Sequence, residues 1–517
     1  MNLLPTLADA VATFARLTPA KLAVRDSRRS LSFAQWHARS NRLANGLLGL
    51  GLAKGDRVAL LAYNGAEWME IYAALAAAGL VAVPINFRLT APEIAYIVQH
   101  SEARAVIAQD ELCDRVDAVR AELPVAAAAY IAFGPALPAG WRSYEALIGA
   151  APEAAPAVEV RPADMSALMY TSGTTGKPKG AMRSHEGSTL IALATALEMR
   201  FTRDDTALLV MPMCHANSLY FSHTFVHLGA TCVIDDRRSF DPEALLATLA
   251  GEKITFTSLV PTHYIMMLGL PAAVKAKYDV SRVDKLMISS APARRETKLA
   301  ILEFFRNGRL HELYGSTEAG WVTLLRPEEQ LDRLGSVGRE WAGSGPIRLL
   351  DPEGREVPDG EVGELFSRTP YVFDGYWKNP EKTAEAMRGA WCSVGDMARR
   401  DEQGYIHLVD RKSNMIISGG ENIYPSEVEA LLGAHPKVKD VAVIGLPHDK
   451  WGEAVHAVVV LHEGQQATEA ELVDWCRGRI AGYKRPQSVH FVAEAQMPRT
   501  ATGKILHRVL RDRMAAA

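Results

Sequence analysis

Cysteine is scarce in this chain, and its placement is uninformative for cross-linking. Five cysteines stand at 113, 214, 232, 392 and 476 in 517 residues, odd in number and never as Cys-x-x-Cys. That usage argues against a disulfide-stapled secreted fold and favours a reducing compartment. Long apolar runs are missing too: the most apolar stretch, Ala73 to Pro84, is too short to span a bilayer and contains Gly79. No basic segment leads into an apolar core at the N-terminus, and the closing Ala-Ala-Ala is neither a lipidation nor a peroxisomal signal. A cytoplasmic location is therefore expected. Charge of one sign is not in excess, since 57 Lys and Arg against 60 Asp and Glu leave a net charge of -3. This disfavours a nucleic-acid partner and requires any basic patch for an anionic ligand to be local. No Gly-x-Ser-x-Gly elbow occurs, which weakens a hydrolase reading. His223 and His227 stand four apart, but no His-Glu-x-x-His motif or third ligand accompanies them, so a structural pair is expected. No long-period repeat is visible.

The length allows a large core and two or more domains, and 48% hydrophobic with 23% charged residues is ordinary globular composition. The first third alternates helix and strand. Ser32-Phe-Ala-Gln35 has capping-box spacing, with Phe33, Trp36, Leu43 and Leu47 at helical intervals before Gly51. Strands at 57–62, 81–84 and 105–108 are separated by helices at 67–78 and near 92–100. Residues 123–161, rich in Ala and Pro, read as an irregular connection. The alternation resumes with strands at 206–211, 231–234, 254–260, 285–289 and 309–314. Strands separated by helices predict an α/β fold with parallel sheets covered on both faces. From Gly335 to Val409 short strands with Gly/Asp turns predict a small antiparallel β subdomain. A compact unit follows, with helices at 425–432 and 469–480 and strands at 415–418, 438–444 and 455–461. The charged Asp410-Arg411-Lys412-Ser413-Asn414 between two β runs reads as a hinge or an ordinary loop. The expected division is a large domain over 1–410 and a small α+β domain over 411–517.

Tyr170-Thr-Ser-Gly-Thr-Thr-Gly-Lys-Pro-Lys-Gly180 is the strongest chemical signal. Glycines let backbone N–H groups turn toward one point, while hydroxyls and ammonium groups add donors, so the run suits a polyphosphate. It is not a Walker A loop, because only Thr174 and Thr175 separate Gly173 from Gly176-Lys177 and Pro178 follows the lysine. Tyr314-Gly-Ser-Thr-Glu318 closes a predicted strand, where ligands of α/β sheets sit. The Tyr314 ring can stack on adenine, Thr317 can donate to a phosphate, and Glu318 can hold a hard cation such as Mg²⁺.

The phosphate loop resembles that of the adenylate-forming enzymes, which include acyl-CoA synthetases, firefly-type luciferases and peptide-synthetase adenylation domains. The resemblance implies a large AMP-binding domain and a mobile C-terminal domain, with ATP, Mg²⁺ and coenzyme A as cofactors and a carboxylic acid as substrate. It assigns Thr171, Ser172, Gly173, Thr174, Thr175, Gly176, Lys177 and Lys179 to the nucleotide phosphates, and Thr171 with Glu318 to the metal. Ser290, Ala291 and Pro292 would line the adenine pocket beside Tyr314, Gly315, Ser316 and Thr317. Ser289-Ser290 stands where relatives carry Gly-Gly or Gly-Ala. Asp396 of Trp391-Cys-Ser-Val-Gly-Asp396 matches the aspartate that takes both ribose hydroxyls, although the usual threonine is Val394 here. Arg411 matches the second ribose contact. Ser418, Gly419 and Gly420 match the run against which the pantetheine arm lies. Lys504 of Pro498-Arg-Thr-Ala-Thr-Gly-Lys504 matches the catalytic lysine and His215 the gate between the ATP and acyl pockets, while Ser413 stands at the hinge position, where many relatives carry Asp or Lys. Lys484 and Arg485 are candidates for the CoA phosphates.

The activity implied is ATP-dependent acyl-CoA ligation. A carboxylate attacks the α-phosphate of ATP, pyrophosphate leaves, and the CoA thiol then attacks the acyl-adenylate. The acyl pocket would draw on residues 215–219, 289–290 and 315–321, which offer no obvious cation for a second carboxylate. A medium-chain or aromatic monocarboxylate is therefore expected. A stand-alone enzyme charging a carrier protein, a luciferase-like oxygenase and a nucleotide sensor remain alternatives, and a homodimer is one expected assembly state.

Overall fold

The computed structural model describes residues 4–171, 178–289, 293–418, 421–500 and 503–515. The chain forms two compact units, one of residues 1–346 with 367–392 and one of 347–366 with 393–517.

The first unit holds two large sheets. In the eight-stranded sheet, Arg57–Leu61 lies parallel to both Val81–Ile85 and Ala103–Gln109, and Met165–Thr171 joins beyond Val81–Ile85. The nine-stranded sheet carries parallel Phe256–Leu259, Lys285–Ser289 and Arg309–Ser316 toward one edge. Near-continuous apolar strands such as Val81–Ile85, buried at every position, need cover on both faces. Helices Leu7–Leu17, Phe33–Gly49, Ala66–Ala78, His185–Met199 and Ala216–Leu228 supply much of it, and their residues share one core with those of both sheets.

Local signals account for the helix ends. Ser32 Oγ accepts from the Gln35 amide and Gln35 Oε1 accepts from the Ser32 amide, closing the expected capping box. The helix His185–Met199 starts with Ser184 Oγ accepting from the Gly187 amide.

Three expectations are corrected. Residues 123–161 are not an irregular connection, because Tyr130–Phe133 and Arg142–Ser143 extend the parallel sheet and Tyr144–Ala150 is a helix. The buried Tyr130, Ile131 and Phe133 form a strand too short to show a period amid so many alanines. The helix expected at 469–480 is the shorter Glu469–Trp475. Within 335–409, Arg339–Glu340 and Gly375–Tyr376 add to the two large sheets instead of to a local one.

In the second unit, Asp396–Arg400 and Ile406–Arg411 pair antiparallel, and Val362 to Glu364 pairs with the former. A five-stranded sheet centred on Gly452–Leu461 packs with helices Pro425–Gly433, Glu469–Trp475 and His507–Ala515. Among the described residues, no helix is long and apolar enough to cross a membrane.

Candidate active site

Glu318 sits at the tip of an antiparallel hairpin formed by Arg309–Ser316 and Gly320–Leu325. The turn is tight enough to need glycine twice. A Cβ on Gly315 would lie 2.3 Å from the Gly320 carbonyl oxygen, and Gly320 has φ +71° with the Tyr371 ring 2.6 Å from where its own Cβ would be. Polar contacts pin the tip from several sides. The Ala319 amide donates to Ser316 Oγ at 2.9 Å, the Thr369 hydroxyl donates to the Ala319 carbonyl at 2.6 Å, and the Phe373 amide donates to the Glu318 carbonyl at 2.7 Å. The Glu318 side chain is buried, and its Oε1 accepts from Tyr376 Oη at 2.8 Å and Thr171 Oγ1 at 3.2 Å. Lys179 Nζ lies 4.1 Å from the centre of the Tyr376 ring.

Thr171 and Lys179 are the ends of the glycine-rich run. They are cross-strand partners where Met165–Thr171 meets Lys179–Ser184, so the two strands bring both ends of the loop beside Glu318. Ser172, Gly173, Thr174, Thr175, Gly176 and Lys177 lie outside the described residues, as do Ser290, Ala291 and Pro292. Tyr314, Gly315, Ser316 and Thr317 are half-buried where their strand reaches the tip.

His215 precedes the helix Ala216–Leu228. Its Nε2 is buried without a hydrogen-bond partner, and burial together with Arg88 pulls its imidazole down to about 4, so the ring is neutral at pH 7. The preceding loop is tied down by Asn64, whose side-chain amide donates to the Val210, Met211 and Asp235 carbonyls while its Oδ1 accepts from the Met213 amide. Burial pushes the Cys214 thiol up to about 12, which removes it as a nucleophile. Asn217 Nδ2 donates to Ser258 Oγ at 3.0 Å and to Ser289 Oγ at 2.9 Å, making a polar trio from three elements. His223 and His227 hold no metal geometry: His227 instead bonds the His223 carbonyl and the Thr189 hydroxyl.

The second unit gathers the other candidates. Asp396 and Arg411 are cross-strand neighbours with Oδ1 and Nε 3.1 Å apart. The Asp410 carboxylate accepts from the Arg411 and Ser426 amides and from the Asn414 side chain, fixing the base of the 411–414 turn. Ser418 is buried at the end of Ile416–Ser418, while Gly419 and Gly420 lie outside the described residues. Lys484 is paired with Glu427.

Lys504 closes a small hairpin. The Thr500 amide donates to the Lys504 carbonyl at 2.7 Å, Lys504 N returns to Thr500 Oγ1 at 3.1 Å, and Gly503 takes φ +85°. The lysine is solvent-accessible, yet crowding by the surrounding protein lowers its pKa, as does Arg411, against the opposing pull of Asp396 and Asp410. Solvent access limits that effect.

Residues 11–377 match the family described as AMP-binding enzyme, and residues 427–504 match its C-terminal domain. This chain belongs to the AMP-binding enzymes. It falls among their acyl- and aryl-CoA ligases. It is 38% identical over 501 residues to a feruloyl-CoA synthase of an Amycolatopsis species, covering 96% of this chain and 97% of that protein. A long-chain-fatty-acid–CoA ligase, FadD13, of Mycobacterium tuberculosis is 35% identical over 94% of this chain and 93% of its own length. The crystal structure of the anthranilate CoA ligase AuaEII in complex with anthranoyl-AMP is similar with a TM-score of 0.87 at 28% identity, covering 100% of this chain and 99% of that one.

As an AMP-binding enzyme, the chain has the donor set that Mg²⁺ requires. A buried carboxylate and a threonine hydroxyl are hard oxygen ligands, and magnesium commonly takes one or two carboxylates together with substrate phosphates. Among the described residues no cluster of three or more His, Cys, Asp or Glu could hold a metal.

Reading the sequence missed three residues that hold groups of the candidate site. Tyr376 reaches Glu318 from 58 positions away, Arg183 donates to the Thr317 and Glu318 carbonyls, and Asn64 secures the loop before His215. No motif spacing links any of them to the residues they hold. The one available signal was an arginine inside an otherwise buried strand, where a charge needs a reason.

Proposed function

We propose that this chain is an ATP-dependent ligase that converts an aromatic or medium-chain monocarboxylate into its CoA thioester through an acyl-adenylate. The observation that carries the reading is the meeting of Thr171, Lys179 and Tyr376 around the buried Glu318, at the ends of the glycine-rich run. In this reading the run from Thr171 to Lys179 holds the ATP phosphates, and Tyr314 stacks on adenine. Mg²⁺ bound by Glu318 and Thr171 would neutralise phosphate charge.

Asp396 and Arg411 are proposed to exchange their mutual ion pair for contacts to the ribose hydroxyls. Lys504 places its ammonium between the substrate carboxylate and the α-phosphate, where negative charge builds as the oxygen–phosphorus bond forms and pyrophosphate leaves. Residues 411–517 are proposed to turn about Ser413 after that step, withdrawing Lys504 and presenting Ser418, Gly419 and Gly420 to the pantetheine arm. The CoA thiolate then attacks the acyl carbon, and AMP departs with the electron pair of the cleaved carbon–oxygen bond. The buried cysteines, none of them in a disulfide, accord with a cytoplasmic setting.

Two observations support the substrate class. Neutral His215 adds no charge, and the Asn217–Ser258–Ser289 trio gives the same region hydrogen-bonding groups. An acid with a polar ring substituent suits such a lining better than a bare alkyl chain. The test is pyrophosphate release across a panel of carboxylic acids, with and without CoA. Acid-dependent release and CoA-dependent thioester are expected. Thioester formed only on a carrier protein, with no saturation by CoA, would replace this reading with carrier loading.

A further inference from the structure

Arg183, which holds the Glu318 hairpin, also lines a small cavity that the proposed chemistry does not use, a mostly apolar space with several polar groups on its wall. Its volume is about 20 Å³, and Tyr72, Arg183, His185 and His223 contribute to its lining. All four residues are at least nine-tenths buried. Each has polar atoms without a hydrogen-bond partner: Tyr72 Oη, Arg183 Nε and Nη2, His185 Nε2, and both ring nitrogens of His223. Burial pulls His185 down to about 4 and His223 to about 3, so both rings are neutral at pH 7 and Arg183 is the charged group here.

Arg183 uses only part of its donor fork. Its Nη1 donates to the Thr317 and Glu318 carbonyls, each at 3.3 Å, while Nε and Nη2 are buried without a hydrogen-bond partner. Its guanidinium carbon lies 5.4 Å from the centre of the Tyr220 ring, which supports the plane from a third direction. A buried cation whose donors are half used is costly unless something accepts from the rest. Room for a water molecule starts at about 10–15 Å³, and a buried water typically makes about three hydrogen bonds to otherwise unsatisfied groups. The cavity's volume meets the first condition, and the unpartnered atoms of its lining residues are candidates for the second.

We infer that Arg183 is the positioning residue of the Glu318 hairpin, and that ordered water in this cavity holds its guanidinium in place. The inference rests on Glu318 acting at the phosphates, as proposed above. A small displacement of a positioned group costs about 10²-fold in rate. Arg183→Met should therefore lower adenylate formation by about that factor and raise the magnesium concentration for half-saturation. Thioester formation from supplied acyl-adenylate should stay near that of the unaltered enzyme, and Arg183→Lys should recover part of the loss. Tyr72→Phe removes one cavity oxygen without touching the hairpin and should shift magnesium half-saturation in the same direction by less. A high-resolution crystal structure of the unaltered protein should show water bonded to Arg183 Nη2.

Lower thermal stability with unchanged kinetics in both Arg183 variants would overturn the positioning role. A cavity without solvent, or one holding a halide, would overturn the water. Glu318→Gln, measured in parallel, separates the two levels. If it leaves magnesium dependence untouched, the reading of Glu318 fails; if it abolishes catalysis while Arg183→Met does nothing, only the present inference fails.

Discussion

At the scale of single residues, the site turns on how Glu318 is held. Its carboxylate takes two hydroxyl donors, Tyr376 and Thr171, and a hydrogen bond to a charged group contributes about 1.5–3 kcal/mol. Tyr376→Phe removes one of these without changing ring volume. It should lower kcat/KM for ATP by roughly ten- to a hundredfold, with folding intact by circular dichroism. Substrate choice is proposed to lie with a different residue. Asn217→Leu replaces the hub of the Asn217–Ser258–Ser289 trio with an apolar side chain, and it should move the ratio of kcat/KM values toward unsubstituted alkyl acids by about tenfold or more. An unchanged ratio across the acid panel would place the acyl group elsewhere. Glu318 and Thr171 were expected from a predicted strand end and a glycine-rich run, whereas Asp396, Arg411 and Lys504 were expected only from the resemblance to adenylate-forming enzymes. Tyr376 and Asn64 were not, since their partners are distant in the chain and neither stands in a phosphate-binding or turn motif.

At the scale of elements, hairpins do the positioning. One carries Glu318, one brings Thr171 opposite Lys179, and one presents Lys504. The Lys504 hairpin is anchored just downstream, where His507 Nε2 lies 2.6 Å from Glu429 Oε1, which also accepts from the Val443 amide. Burial opposes charge on His507, but the Glu429 contact, with Asp410 assisting and Lys504 opposing, raises its pKa above the ordinary 6.5. A raised histidine stabilises fully below its unfolded pKa and loses that contribution as pH rises through the folded value. The difference in thermal midpoint between the unaltered protein and His507→Asn should therefore shrink as pH rises above the ordinary 6.5 and through the raised folded value. A difference independent of pH would mean the ring acts by packing alone. Capping boxes and glycine stops made the helices of the first third readable. The stretch 123–161 was not, because alanine and proline conceal the short strand Tyr130–Phe133, whose place is set by pairing with Ala103–Gln109.

At the scale of the whole molecule, the candidate residues divide between two compact units. The first compact unit holds the phosphate and acyl candidates, and the second holds Asp396, Arg411 and Lys504. The alternation of strands and helices revealed the layered α/β class. It could not reveal that Arg339–Glu340 and Gly375–Tyr376 join the large sheets, since two-residue pairings leave no periodic trace. If Lys504 serves adenylation alone, Lys504→Ala should slow that step by about 10²–10³-fold and leave thioester formation from supplied acyl-adenylate nearly intact. Equal loss in both steps would remove the proposed change of orientation between them.

The most direct measurement is exchange of labelled pyrophosphate into ATP by the purified protein. Exchange is predicted to require magnesium and a suitable carboxylic acid, to proceed without CoA, and to be lost in Lys504→Ala. Exchange that ignores the acid, or none with any acid while CoA thioester still forms, would contradict an acyl-adenylate made at this site.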